Sequence, residues 1–210
     1  MSRLVYGVGL NDKGVPVFKQ GIKVKEYALW QSILKRCYAQ KRGLRNDNYS
    51  DCCVSENFKS YSFFYDWCQI QIGFGTVDSD GRAWCLDKDI LFKRNRVYSE
   101  DNCVFVPQEI NALLLRKQKN RGVYPIGVSL HKQRQRYTAS CGINGKVTHI
   151  GIYDTPYEAF LSYKSAKEQQ IQTVAEKHKE ELDYRAYKAL LEYQIEITDY
   201  LGRLVFTKYY

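Results

Sequence analysis

The chain has 210 residues, 44% of them hydrophobic and 14% aromatic, with a formal charge of +9 at pH 7. That apolar content builds real cores and excludes a disordered tail. No run approaches the roughly 18 apolar residues of a membrane helix, and the start MSRLVYGVG lacks a signal-peptide shape, so the expectation is a soluble protein of the cytoplasm with no membrane partner. The seven cysteines include no C-x-x-C pair, which excludes a zinc knuckle and points to buried thiols rather than a disulfide framework.

Residues 1–22 are rich in Gly, Lys and Val and read as an extended arm or short hairpin. Lys25 to Lys41 places Tyr27, Trp30, Leu34, Cys37 and Tyr38 at helical spacing. The run KRGLRNDNYSD breaks that helix. Ser55 is a candidate N-cap for a second helix over Glu56–Ile70, with Phe58, Tyr61, Phe64, Tyr65 and Cys68 on one side. The simplest role for these aromatic helices is core, although rings of this kind can also stack on bases.

AWCLDKDILF then reads as a strand and NCVFV as a second one, separated by the turn KRNRVYSEDN. Pro107 opens a helix through Glu109, Asn111 and Leu115. Further on, Val123–Leu130, Arg136–Ile143 and Lys146–Tyr153 read as three strands, the last two joined by the hairpin signal Asn144-Gly145. Thr155 with Glu158 three residues on is a capping box, and Ala159, Phe160, Tyr163 and Ala166 form the apolar stripe of the helix it starts. Residues 180–200 read as one more helix, and LGRLVFTKYY as an edge strand.

The charge is unevenly spread. Between Ile110 and Tyr153 there are eight Lys or Arg residues, namely Arg116, Lys117, Lys119, Arg121, Lys132, Arg134, Arg136 and Lys146, and no Asp or Glu. The rest of the chain holds 24 basic and 23 acidic residues, so this segment supplies nearly all of the net charge. Concentrated positive charge without carboxylates is the footprint of a polyanion site. Strand alternation assigns Val128, Leu130, Ala139, Cys141, Ile150 and Ile152 to the helix-facing side. The opposite face then carries Ser129, His131, Arg136, Thr138, Ser140 and His149, with Lys132, Arg134 and Lys146 at the turns. A face of this chemistry suits a DNA major groove, where Arg reads guanine and hydroxyls bond bases or phosphates.

The run GVSLHKQRQRYTASCGINGKVTHIGIYDTPYEAFLSYKSAK resembles the Apetala-type (ethylene-response-factor) DNA-binding domain, through Ile150-Gly151-Ile152-Tyr153, Thr155, Glu158-Ala159, Tyr163 and Ala166. The resemblance covers about a quarter of the chain and implies double-stranded DNA bound by the sheet. At the positions of the family's base contacts stand Ser129, His131, Ser140, Gly142 and His149, without most of its Arg and Trp, so its target sequence does not carry over.

Leu86-Asp87-Lys88-Asp89-Ile90, then Asn102-Cys103-Val104-Phe105-Val106, then Asn111 resembles the core of the HNH nucleases. That resemblance implies two strands and a helix around Mg²⁺, with Asp87, Asp89 and Asn111 as metal ligands and Asn102 as an orienting residue. Lys88 or Asp89 stands where the family has its catalytic His, and residues 1–130 contain no His at all. An imidazole base suited to neutral pH is therefore missing, and a plain structural hairpin with Asn102 as a turn cap remains open. The pairing of both elements, with W-x-x-x-L-x-R-C-Y at Trp30–Tyr38, is similar to phage-encoded HNH homing endonucleases in a His-less form.

The expected fold is α+β. Residues 1–118 form a helical domain with a ββα (HNH-like) hairpin and helix. Residues 119–178 form a three-stranded antiparallel sheet packed on one helix, and 179–210 a C-terminal helix and tail. The expected function is double-stranded DNA binding in the host-cell cytoplasm by a protein of homing-endonuclease descent, and the missing His leaves Mg²⁺-dependent nicking or cutting an open second activity. The alternatives are an inactive DNA-binding regulator or antagonist of host defence, and an RNA-binding protein using the same basic sheet.

Overall fold

A computed structural model describes residues 4–12, 14–39, 49, 51–114 and 124–197. It is a mixed α+β structure in two compact units, one of Met1–Asn111 with Glu180–Ala186 and one of Ala112–Lys179 with Tyr187–Tyr210. The division falls between Asn111 and Ala112, and the segment after 179 is shared between the units.

The first unit is built on aromatic helices. Helix α1 (Lys25–Tyr38) buries Tyr27, Trp30, Ile33, Leu34 and Cys37, the spacing of one helical face. The Trp30 indole, fully buried, donates to the Phe58 carbonyl at 2.8 Å, the partner a buried Trp requires. Phe58, Tyr61, Phe64 and Trp67 complete this core, and Trp67 packs on Phe105 with ring centres 5.8 Å apart.

The single helix expected over 56–70 is two helices, α2 (Glu56–Lys59) and α3 (Tyr61–Ile70). Ser55 caps the first by accepting from the Phe58 amide, as its position suggested. The break has a physical cause in the N-terminal arm. Leu10 accepts from the Tyr61 amide and donates to the Lys59 carbonyl, using backbone groups a continuous helix would need. Ser60 then caps α3 through the Phe63 amide, and Asp12 accepts from the Ser62 amide and from the Ser60 hydroxyl. The rest of the arm forms a short hairpin, β1 (Phe18–Lys19) with β2 (Ile22–Lys23).

Two further pairs complete this unit. Strand β3 (Cys53–Val54) runs parallel to β5 (Val97–Tyr98), a pairing that two-residue strands give no periodicity to announce. Strand β4 (Cys85–Asp87) runs antiparallel to β6 (Val104–Val106), and helix α4 (Gln108–Leu114) follows directly after Pro107. The long strand expected over AWCLDKDILF is thus only three residues. It ends because the Asp87 carboxylate accepts from the amides of Asp89 and Ile90, folding the chain back on itself.

In the second unit, β7 (Val128–His131), β8 (Arg136–Ile143) and β9 (Lys146–Tyr153) form an antiparallel sheet in sequential order, packed on α5 (Pro156–Lys177). The bounds of β8 and β9 are those expected. Strand β7 starts at Val128 rather than Val123, which lies outside the described residues. Before it stands Gly127 at φ +76°, where an added Cβ would lie 2.0 Å from the Tyr163 ring of α5. A glycine is therefore needed twice over, for the backbone angle and for the close approach. Asn144 and Gly145 both take positive φ, as a two-residue hairpin turn of the I′ type demands. The Thr155–Glu158 capping box is fully formed, and Ala159, Phe160 and Tyr163 are buried under the sheet. Helix α6 (Tyr184–Leu191) is the last element, and the edge strand expected over 201–210 lies outside the described residues.

One strand assignment is corrected. The register of β8 and β9 shifts between Ala139 and Ser140, so that Ala139 faces Gly151 but Ser140 faces His149. Ile150 is the additional residue of a bulge. Past it the alternation of β9 reverses, and Ile152 pairs with Thr138 on the outer face rather than pointing at the helix.

Candidate functional site

The outer face of the three-stranded sheet consists of cross-strand rows. His131 faces Arg136, Ser129 faces Thr138 and Thr138 faces Ile152, Ser140 faces His149, and Gly142 faces Val147. Beneath this face Ala139 and Cys141 are buried against α5. Burial pushes the Cys141 thiol up and the ammonium of half-buried Lys167 on α5 down. The outer groups are consequently held from behind, with Ser129 and His149 exposed and Thr138 and Ser140 half-buried among their neighbours.

The sheet ends carry the charge. Lys132 and Arg134 are exposed on the β7–β8 turn, shaped by Gln135 at φ +49° donating to the Lys132 carbonyl at 2.7 Å. Lys146 is exposed at the opposite end of the sheet, in the row of Ile143 next to the Asn144-Gly145 turn. Among the described residues, none of these three cations has an ion-pair partner in the structure. Buried Gln170 of α5 donates to Asn144 Oδ1 at 3.3 Å and ties the second turn to the helix.

Arg136 differs from them. Its Nε lies 2.7 Å from Asp154 Oδ1, an ion pair without the alignment of a hydrogen bond. Asp154 is the first residue beyond the carboxylate-free segment, so alternation counting within that segment could not reveal it. His131, beside Arg136, has a buried Nδ1 with no hydrogen-bond partner. Arg116, Lys117, Lys119 and Arg121 lie outside the described residues.

The β4–β6–α4 element brings its polar residues together in another manner. Lys88 is 5% exposed, and its ammonium donates to Asp89 Oδ1 at 2.7 Å and to the Asn95 carbonyl at 2.6 Å. It also lies 5.7 Å from the centre of the Tyr98 ring. Asp87 Oδ1 accepts two backbone amides, and burial raises its pKa above the ordinary aspartate value despite those bonds. Asn102 stands in the turn before β6, its amide donating to Ser99 Oγ and its side chain to Asn95 Oδ1. On α4, Gln108 Oε1 accepts from the Cys85 thiol at 2.5 Å; burial pushes that thiol up, and Asn111 holds back part of the rise.

The organising residue here is Asn95, which the strand-and-turn reading passed over. Its side chain donates to the Lys88 and Val97 carbonyls and accepts from the Val97 amide. The available signal was an Asn inside the polar run KRNRV, a pattern shared by many plain turns.

As a Mg²⁺ site this constellation fits poorly. The Lys88 side chain bonds Asp89, and Asp87 is engaged by the Asp89 and Ile90 amides. Among the described residues no three His, Cys, Asp or Glu side chains gather as a ligand set. Nor is any helix among them long and apolar enough to cross a membrane. No known protein family, characterised protein or solved structure matches the chain.

Proposed function

We propose that this protein binds double-stranded DNA through the outer face of the β7–β8–β9 sheet. One observation carries the reading. A face of hydroxyls and imidazole, backed by α5, is flanked at the β7–β8 turn by the exposed cations Lys132 and Arg134, with Lys146 exposed beside the opposite turn in the helix-facing row of Ile143, and no carboxylate lies on its strands. Such a face can lie against phosphate at its margins while its centre meets base edges. The Apetala-type resemblance of the same residues supports it.

The hairpin and helix of the first unit act in this reading as scaffold rather than as a nuclease centre. The Lys88 side-chain nitrogen is buried and engaged by Asp89 Oδ1 and the Asn95 carbonyl, so it is occupied within the fold.

The test is a salt titration of duplex binding. Five to eight phosphate contacts give log K against log salt a slope of roughly −4 to −7. A flat response overturns the reading. Supercoiled plasmid incubated with Mg²⁺, Mn²⁺ or EDTA tests the chemistry, and on this reading it stays supercoiled in all three. Metal-dependent nicking would restore the nuclease reading.

A further inference from the structure

The outer sheet face carries two aliphatic side chains among its hydroxyls and imidazole, exposed Val147 and half-buried Ile152. Val147 is 85% exposed, and the residue opposite it is Gly142, around which an added Cβ would meet nothing within 4 Å. Its isopropyl group therefore stands uncovered by any cross-strand neighbour. Ile152 reaches the same face only because the bulge at Ile150 reverses the alternation of β9. It sits in the central row, beside Thr138 and Ser129. The bulge places Gly151 and Tyr153 in the helix-facing rows and leaves Ile152 in an outer one. Devices of this kind re-aim a side chain toward a ligand.

The major groove of DNA offers one apolar group, the 5-methyl of thymine. We propose that Ile152 and Val147 are thymine-methyl contacts. They would give the sheet a preference for T-containing duplexes over the same duplexes lacking that methyl, RNA included. The proposal rests on the reading of this sheet as the DNA face. The spacing suits it. With the bulge residue adding no advance along the strand, the two side chains are about four strand residues, or about 13 Å, apart. That distance covers about four base pairs at about 3.4 Å each. Between them the Ser140–His149 row faces the intervening base edges with hydrogen-bonding groups.

The experiment uses the full chain. Duplexes enriched from a random-sequence library by the wild-type protein are amplified in parallel with dTTP or with dUTP. This changes the methyl and leaves backbone, charge and pairing groups intact. The thymine pool should bind about fourfold tighter for each methyl contacted, the value of one buried carbon. In the variant Val147→Ser with Ile152→Thr the ratio should fall to about one, with uracil-pool affinity and melting temperature as in wild type. Equal wild-type binding of both pools overturns the methyl contacts and leaves the sheet as a DNA face. A thymine preference that survives the double substitution overturns the assignment to these residues. An RNA duplex bound as tightly as the thymine pool overturns the proposal as well. Failure to bind any duplex removes the proposed function and this inference together.

Discussion

The β4–β6–α4 element and the β7–β8–β9 sheet treat their polar side chains in opposite ways. In the first, Lys88, Asp87, Asn95 and Asn102 bond to one another and to nearby backbone, so almost every donor is consumed inside the fold. In the second, Lys132, Arg134 and His149 are exposed on a sheet backed by α5, and Lys146 is exposed beside its second turn. The same residue types serve two ends. Groups satisfied internally hold a short hairpin in shape, whereas groups left to water are those a ligand can use. Arg136, half shared with Asp154, stands between the two cases.

The largest effect should come from the support of the exposed face. Phe160, 3% exposed, lies under the sheet on α5. Phe160→Ala should cost about 3–5 kcal/mol by cavity formation, read as a shift in urea midpoint, and duplex binding should fail with it. If the variant melts like wild type, the sheet does not depend on α5 and the contrast with the hairpin loses its basis.

Next comes the face itself. Alanine at Lys132, Arg134 and Lys146 together should leave the melting temperature unchanged and lower the salt slope of duplex binding by about 3, since each phosphate contact contributes about 0.9. A slope that stays put would place the phosphate contacts elsewhere on the chain.

Much of the second unit was legible because its signals are local. Asn144-Gly145 requires positive φ twice, Thr155 and Glu158 satisfy each other's backbone donors, and the strand bounds follow from these punctuation marks. The bulge was not legible, because a one-residue register shift is fixed by pairing rather than by pattern, and it moved Ile152 across the sheet. In the first unit the caps at Ser55 and Asp87 act locally, yet the break at Ser60 depends on Leu10 and Asp12, about fifty residues upstream. The parallel pairing of β3 and β5 is equally non-local. For the hairpin, residue order could suggest a metal site, but only geometry reveals that Lys88 is folded onto Asp89.

Lys88 supplies the third test. Lys88→Met keeps the stem and removes the charge, so it leaves the Asn95 carbonyl and Asp89 without their donor. Loss of hydrogen bonds from a charged group should cost about 2 kcal/mol, seen as a lower urea midpoint, with the salt slope of duplex binding unchanged. A variant as stable as wild type would mean that the ammonium is not structural and is free for other work.

The smallest effect separates scaffold from metal site most sharply. Asp87→Asn retains an oxygen able to accept from the Asp89 and Ile90 amides, so the turn should survive. Burial raises the pKa of Asp87 in the folded chain, so the folded state binds its proton more readily than the unfolded state does. By linkage this group adds stability as pH falls through the window between its raised folded value and the ordinary aspartate value of about 3.9, and that contribution is lost as pH rises through the folded value. Asp12 and Asp183 behave oppositely. Burial raises each, but hydrogen bonds outweigh it and hold both carboxyls low, so their stabilisation is lost in acid. The amide introduced by Asp87→Asn is neutral throughout and escapes the cost of a buried charge. At pH 7 the variant should therefore be as stable as wild type or slightly more so, and the difference should narrow toward pH 4 in urea titrations. The opposite pattern, a variant less stable at pH 7 whose deficit disappears in acid, would show that the fold stabilises Asp87 as an anion. That is the state a metal ligand needs and a scaffold aspartate in this turn does not.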